Sequence, residues 1–408
     1  MVLTSTDSNL WVVGNANLDD TIDEKDIEYI QSIIDGTAKE YKLCVSTWAD
    51  REEVSMADAN ADGVIDEKDI EKVRSMIAGE EQIIYYVDVD GIRNSVHYPV
   101  SSIVSLYYLS ALQIQILGAA DRVVACDNNT ASMVYLADNF GSLGVYDNTA
   151  RFDPDAESIM SYNPDIVLTG SREWYCNTLE SSLPSSRDSI DIVRLSSWED
   201  GNAQVGTMTL GYILGCMDIA AEYIEWSDAV LDMISEKTST LSDDEKANII
   251  IPKGRENAMY EANCVGSGRY ETSLLAGVNN IADRLGTTQD YITFDEEWLY
   301  NQTDLDFIIY NGYDKLGDAT HNKEWNDSMV ERYSALTAAY GTEIHTVSDA
   351  VLLGPAYVIG VIYIAKIVYP ELFADMDADA LFQDFVDRFM VGWDFDVSAY
   401  NAQGGVAV

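Results

Sequence analysis

Apolar residues recur at helical spacing from Ile219 to Leu241, at Ile219, Tyr223, Trp226, Val230, Met233 and Leu241, with no proline or glycine in the stretch. They form one stripe on a helix of about 23 residues, roughly 34 Å long at 1.5 Å per residue. On both sides the pattern changes to strands alternating with helices. Upstream, Ile83–Gly91 alternates and ends in a turn, Ser102–Leu106 and Asp165–Thr169 read as short buried strands, and LSALQIQILGAADRVVACDNN reads as helix, glycine break and strand. Downstream, Ala247–Ile251 is a strand and GRYETSLLAGVNNIADRLG a helix. DEEWLYNQTDLDFIIYNGYD then gives a helix and strand, and EIHTVSDAVLLGPAYVIGVIYIAKIVYPELF a strand and closing helix. This alternation predicts α/β lobes with mostly parallel sheets. A long helix between two such halves predicts two Rossmann-like lobes joined by a spine that cannot bend as a hinge loop does. Any cleft between them is then expected to be preformed. Periodicity alone fits an amphipathic helix of one large α/β domain equally well.

The first 80 residues follow another pattern. NANLDDTIDEKDIEYIQSIIDG, from Asn15, recurs as DANADGVIDEKDIEKVRSMIAG, from Asp58, 43 residues later. Each copy places oxygen side chains at loop positions 1, 3, 5, 9 and 12: Asn15, Asn17, Asp19, Asp23 and Asp26, then Asp58, Asn60, Asp62, Asp66 and Asp69. Ca²⁺ takes six to eight hard oxygen ligands, and a loop wrapping it adds one carbonyl at position 7, here Thr21 and Val64. Ile22 and Ile65, at position 8, are suited to pairing the loops through a short strand. Each loop enters a helix, Ile27–Asp35 or Ile70–Ala78, ended by Gly36 or Gly79. Loop two has four carboxylates and Gly63 at position 6; loop one has three, begins with Asn15 and carries Asp20 there. Two Ca²⁺ sites are expected, the first weaker. With aspartate at position 12 the pair resembles a dockerin domain, a class that binds calcium and docks onto cohesin modules; the resemblance implies calcium and leaves a cohesin partner open. The spacing between loops is longer than usual, and Glu24–Lys25 and Glu67–Lys68 stand where dockerins often carry recognition residues. The module therefore either docks on another chain or packs on its own neighbour as a calcium-stiffened extension.

The domain boundaries that follow are 1–80 for the dockerin-like module, 81–216 for the first lobe, 217–245 for the bridging helix and 246–400 for the second lobe. At 408 residues the chain is long enough for two or three separate cores. Its formal charge of −46, from 70 acids against 24 bases, repels nucleic acid and anionic membrane surfaces. It suits calcium binding, a salty environment or a cell-surface protein, and solubility alone accounts for many of the carboxylates. Cys44, Cys126, Cys176, Cys216 and Cys264 are scattered with no C-x-x-C, against a disulfide framework or zinc site. No stretch approaches the ~20 apolar residues of a membrane span, and Met1–Asn9 lacks signal-peptide character. An extracellular or periplasmic protein whose signal and anchor have been trimmed is expected, NAQGGVAV being a second trim point.

SIVSLYYLSALQIQILGAADRVVACDN, AESIMSYNPDIVLTG, GVNNIADRLG, EEWLYNQTDLDFIIYNG and VIYIAKIVYPELF, in that order and with the long helix among them, span residues 83–390. They resemble the substrate-binding proteins of iron-complex and vitamin B12 ABC importers. The resemblance implies an ABC permease as partner, a siderophore, haem or corrinoid ligand, and no catalytic residues. His97, His321 and His345 are isolated and no G-x-S-x-G or phosphate-binding loop occurs. A metallocluster enzyme of nitrogenase-like topology would need spaced cysteine ligands, which are lacking. A scaffold or adhesion protein, with the α/β body as cargo of the dockerin, is the competing class.

Ligands of open α/β lobes bind outside the carboxyl ends of the strands. The loops expected there are Asp127–Thr130, Gly170–Tyr175, Pro252–Tyr260 and Asn311–Lys315. They carry Arg172, Trp174 and Tyr175; Lys253, Arg255 and Tyr260; and Tyr313, with Tyr108, Arg269 and Tyr357 on helix starts near the same face. Guanidinium beside aromatic rings suits a flat or chelated ligand with negative groups; Arg172 and Arg255 equally suit neutralising nearby carboxylates, and Trp174 lobe packing. The family docks on its permease through one glutamate per lobe. The matching positions are Glu157 and Glu297, which are also helix-start charges favoured by the dipole.

Overall fold

The computed structural model describes residues 2–3, 8–43, 53–146, 151–183, 190–198, 203–287, 289–312 and 319–407. Tyr313 and Cys44 lie outside them. The chain divides into two compact units. One contains residues 1–132, 136–197 and 202–222; the other contains 133–135, 198–201 and 223–408.

The duplicated segment opens the first unit. Helices α1 (Glu24–Ile34) and α2 (Glu67–Ile77) start where Asp23 and Asp66 take up extended N-cap geometry and accept hydrogen bonds from Lys25 and Lys68 N–H groups. Asp26 and Asp69, three residues on, accept the N–H of each cap, closing two reciprocal boxes. Gly36 and Gly79 follow at φ +71° and +65°, the left-handed turn that stops each helix. The two helices bury Ile27, Ile30, Ile70 and Val73 against Ala16, Ala57 and Ala59. Ile22 and Ile65 pack on this core but form no strand; the expected pairing between loops is replaced by side-chain burial. The segment does not stand apart. Trp11, Val13, Leu43, Val54 and Met56 share a core with Val87 and Val205 of the adjoining lobe. Val13 donates to the Tyr85 carbonyl at 2.8 Å and the Trp11 carbonyl accepts from Val87 at 2.9 Å. The boundary expected at residue 80 is therefore bridged by apolar packing and backbone pairing.

An antiparallel hairpin, β1 (Gln82–Val87) and β2 (Arg93–Tyr98), precedes the first sheet. That sheet is parallel throughout: β3 (Ile103–Ser105), β4 (Val123–Asp127), β5 (Gly144–Tyr146), β6 (Ile166–Thr169) and β7 (Asp191–Arg194), in spatial order β7-β6-β3-β4-β5. Strand order reverses between β3 and β6. Loops leaving those two strands diverge to opposite sides, the place where sheets of this kind bind ligands. Helix α3 (Met217–Thr238) is the long helix expected over 219–241; its first six residues belong to the first unit and the rest to the second.

The second unit repeats the plan with β8 (Asn248–Ile250), β9 (Lys253–Gly254), β10 (Asn279–Asn280), β11 (Phe307–Gly312) and β12 (Glu343–Ser348). All pairings are parallel, β11 lying between β12 on one side and β8 with β9 on the other, and β10 outside β8. GRYETSLLAGVNNIADRLG is not one helix. It is helical over Gly268–Leu275, breaks at Gly277 (φ +79°), forms β10 and continues as a 3₁₀ turn over Ile281–Leu285. Periodicity carries through such a break because both pieces bury one face.

Candidate functional site

In the first unit the loops at the reversal point carry a connected set of rings. Tyr107, after β3, packs 4.7 Å from Tyr175, in the loop after β6, and edge-on at 4.9 Å against Tyr108. Phe152 stacks on Tyr175 with centroids 5.9 Å apart and planes 15° apart, and remains 49% exposed. Trp174 is 47% exposed and Tyr175 is buried. The loop Gly170–Cys176 is held from beneath by Arg194, the fully buried last residue of β7. Its guanidinium donates to the carbonyls of Gly170 (2.9 Å), Tyr175 (2.9 Å) and Cys176 (2.8 Å) and to both oxygens of Glu180 (2.7 and 3.0 Å). Burial raises the Glu180 carboxyl, but the Arg194 hydrogen bond and the two guanidinium charges outweigh it and leave the group below its usual range.

Arg172 is engaged by carboxylates. Its Nη1 lies 2.8 Å from Asp88 and 2.6 Å from Asp90, on the turn of the hairpin, and its Nε 3.3 Å from Glu180. The guanidinium thus pairs with two acids more than eighty residues upstream and with Glu180, the second of the two roles open to it in sequence. Arg151 differs. Its guanidinium carbon lies 4.6 Å over the Phe152 ring centroid, and its Nε is buried without a hydrogen-bond acceptor. Neither Arg151 nor Arg194 stands out in the sequence. Counting bases near strand ends would have found both, since bases are scarce.

In the second unit, Lys253 pairs with Glu261 at 2.5 Å and lies 3.9 Å over the Tyr291 ring. Arg269 makes a two-point pair with Asp349, Nε–Oδ1 2.5 Å and Nη2–Oδ2 2.9 Å. Asp349 follows β12 and also accepts from Asn311 at 3.0 Å, which in turn accepts from Asn263 at 3.1 Å. Arg255 is exposed. Tyr260 accepts from Arg332, which also pairs with Glu296 at 2.9 Å. Tyr357 is buried, which raises its phenol well above the usual range, with Asp228 adding to the shift. Asp349 went unread because its partners are remote in sequence; Asn311 enters only as the start of an expected loop.

Glu157 and Glu297 occupy the same place in the two units. Each is exposed, in the first turn of a short helix capped by an aspartate, Asp155 or Asp295, and each helix leads to a strand paired on both sides, β6 or β11.

Both loops of the duplicated segment have the backbone of a cation-wrapping turn. Positions 4 and 6 are left-handed in each: Leu18 and Asp20 at φ +62° and +64°, Ala61 and Gly63 at +60° and +86°. The Asp20 carboxylate is held by the segment before the loop, accepting from the Ser8 hydroxyl and from the N–H groups of Asn9 (2.7 Å) and Leu10 (3.1 Å). Asn15 Oδ1 is buried without a partner. Burial pushes the Asp26 carboxyl up to about 6 despite backbone donors, and burial also raises the Asp69 carboxyl. These features fit a cation. The carboxylates are meanwhile held by bases: Asp19 and Asp23 by Lys25, Asp62 and Asp66 by Lys68, and Asp58 by Arg93 of β2 at 3.3 Å. Among the described residues no group of three or more His, Cys, Asp or Glu stands close enough to hold a metal ion; cation binding would require the lysines and Arg93 to withdraw.

A cavity of about 420 Å³ is lined by Met76, Ile84, Tyr98, Tyr212 and Met217, none of them in the loops that follow β3 and β6. Among the described residues no helix is long and apolar enough to cross a membrane. Cys126, Cys176, Cys216 and Cys264 are free thiols.

Three solved structures are similar in fold. The TroA-like periplasmic binding protein FepB of Veillonella parvula has TM-score 0.62 at 16% identity, with 75% of this chain and 95% of that one covered. The Haemophilus influenzae molybdate periplasmic binding protein MolA, bound to molybdate, has TM-score 0.61 at 13% identity, covering 75% and 97%. Helicobacter pylori CeuE with Ni(II) bound has TM-score 0.59 at 14% identity, covering 78% and 99%. Among curated proteins no sequence match is found. The periplasmic binding protein family model matches residues 103–339, more than half of the chain, and the chain belongs to that family.

Proposed function

We propose that this protein captures a metal complex outside the cytoplasm, a siderophore, haem or corrinoid, and delivers it to an ABC permease. The observation that carries the reading is the aromatic and cationic cluster of Tyr107, Phe152, Trp174, Tyr175 and Arg151 at the strand-order reversal of the first sheet. Rings with exposed faces beside a guanidinium suit a broad, partly apolar ligand with anionic groups. The ligands named for the structural neighbours, molybdate and Ni(II), show how varied the cargo of one fold is. No catalytic role is assigned to any residue. Glu157 and Glu297 serve as paired contacts for permease arginines, their exposure and matching placement supporting that role.

The duplicated loops are read as two Ca²⁺ sites. Asn15, Asn17, Asp19, Asp23, Asp26 and the Thr21 carbonyl would form the first; Asp58, Asn60, Asp62, Asp66, Asp69 and the Val64 carbonyl the second. Hard oxygen donors of this kind suit Ca²⁺. The apolar core shared by Trp11, Met56, Val87 and Val205 favours a module that stiffens its own lobe over one that docks on a cohesin. The test is equilibrium binding of ferric siderophores, haemin and cobalamin, each with and without Ca²⁺. Saturable binding of one class supports transport. A chain that binds none of them but binds a cohesin supports the scaffold reading.

A further inference from the structure

We propose that Arg151, seated on Phe152, is the anion-recognising residue of the first unit's half-site, and that its ligand presents a carboxylate beside a flat ring face. The proposal rests on the solute-binding reading and names the chemistry of that same site. It also reassigns the role expected of Arg172.

The other arginines near this face are engaged. Arg172 is taken up by Asp88, Asp90 and Glu180, and Arg194 by three carbonyls and Glu180. An incoming anion would have to compete with Asp88 and Asp90 for Arg172, and Arg194 is itself fully buried. Arg151 has no such partner among the described residues, and its Nε is buried with nothing to accept its hydrogen. The residue as a whole is half-buried, so an anion that reaches its guanidinium meets no competing carboxylate among the described residues. Asp127 feels the Arg151 charge, but its oxygens are taken by the N–H and hydroxyl of Thr130, both at 2.9 Å.

The setting also fixes the ligand's shape. The guanidinium covers one part of the Phe152 ring at 4.6 Å, and Phe152 is held by stacking on Tyr175, itself packed on Tyr107. The Cys176 thiol donates to the Arg151 carbonyl at 3.2 Å, tying this segment to the loop that Arg194 anchors. The fork and the half-exposed ring are therefore presented together on a fixed base. A planar guanidinium recognises carboxylate at two points, and the ring beside it accepts a second flat face. Neutral corrinoids satisfy only the second requirement. A planar complex bearing carboxylates satisfies both.

The test compares haemin with its dimethyl ester, which keeps the plane and removes the charge, by absorbance titration of wild type, Arg151→Met, Arg151→Lys and Arg172→Met. Wild type is expected to prefer haemin over the diester by about 10- to 100-fold, the worth of one charge-assisted pair. Arg151→Met should abolish that preference while binding the diester as wild type does, which also reports that it is folded. Arg151→Lys should restore part of the preference, and Arg172→Met should leave it intact. Unchanged preference in Arg151→Met and Arg151→Lys overturns the proposal but leaves the solute-binding reading standing. A wild type that binds neither porphyrin overturns the ligand class; binding of cobalamin or a ferric siderophore by that same protein would show the solute-binding reading surviving it.

Discussion

Replacing Arg194 by methionine removes the hub of the first unit's loop. The side chain is fully buried, and its five hydrogen bonds go to the carbonyls of Gly170, Tyr175 and Cys176 and to both oxygens of Glu180. Breaking a buried ion pair from one side costs about 3–5 kcal/mol, and each carbonyl stranded without a donor about 1–3 kcal/mol. Glu180 reaches solvent, with 41% of its side chain exposed, so water recovers part of its loss. Methionine recovers part of the packing. A net cost of about 2–4 kcal/mol follows, or a fall of roughly 4–16 °C in the Tm of the unit containing the loop. Urea unfolding followed by far-UV circular dichroism and tryptophan fluorescence measures it, with the two units fitted separately because they need not unfold together. Arg194→Lys keeps the charge without the fork and should fall between the two. A loss below about 1 kcal/mol in Arg194→Met would refute the idea that this arginine holds the loop.

Glu180 brings a pH dependence to the same hub. Its pKa is depressed in the folded state, so its contribution is fully present above the unfolded value of about 4.3 and disappears as pH falls through the folded value. Wild type should therefore lose more stability than Glu180→Gln between about pH 5 and 3, measured by urea midpoints across that range. Calcium titrated into the apo protein by calorimetry should give two events, Asp69→Ala removing the tighter and Asp26→Ala the weaker. A single event, or none, would revise the loop assignment. Arg93→Ala, which frees Asp58, should tighten the second site, and a weakened site would show that Arg93 supports the loop instead of competing. Glu157→Gln and Glu297→Gln should lower ligand delivery to a reconstituted permease with ligand affinity unchanged; loss of affinity in either would move that glutamate into the ligand site.

Local signals were the legible ones. Helices α1 and α2 are written in Asp23 with Asp26 and in Asp66 with Asp69, because a capping box lies within four residues. The long helix was legible because its apolar stripe runs uninterrupted, and its ends differ from expectation by two or three residues, where helices fray. Strands β3, β6 and β8 fall within the short apolar runs that predict them. Contacts between distant residues were not legible. Arg172 lies more than eighty residues from Asp88 and Asp90, so its neutralisation depends on where the hairpin packs. Arg194 reads in sequence as the polar end of a strand, and its burial follows from the loop folding over it. Arg151 and Phe152 stand just before the helix that carries Glu157, and nothing local marks them as facing Tyr175.

The solute-binding account is tested most directly by thermal unfolding of the wild-type protein against rising concentrations of ferric siderophores, haemin and cobalamin. A ligand that binds only the folded chain stabilises it by about 2.7 kcal/mol at one hundred times its Kd. The account predicts that one class raises the Tm progressively with concentration, by several degrees, while the others leave it unchanged. A Tm that stays constant with every class, from a chain shown to be folded and monodisperse, would contradict it.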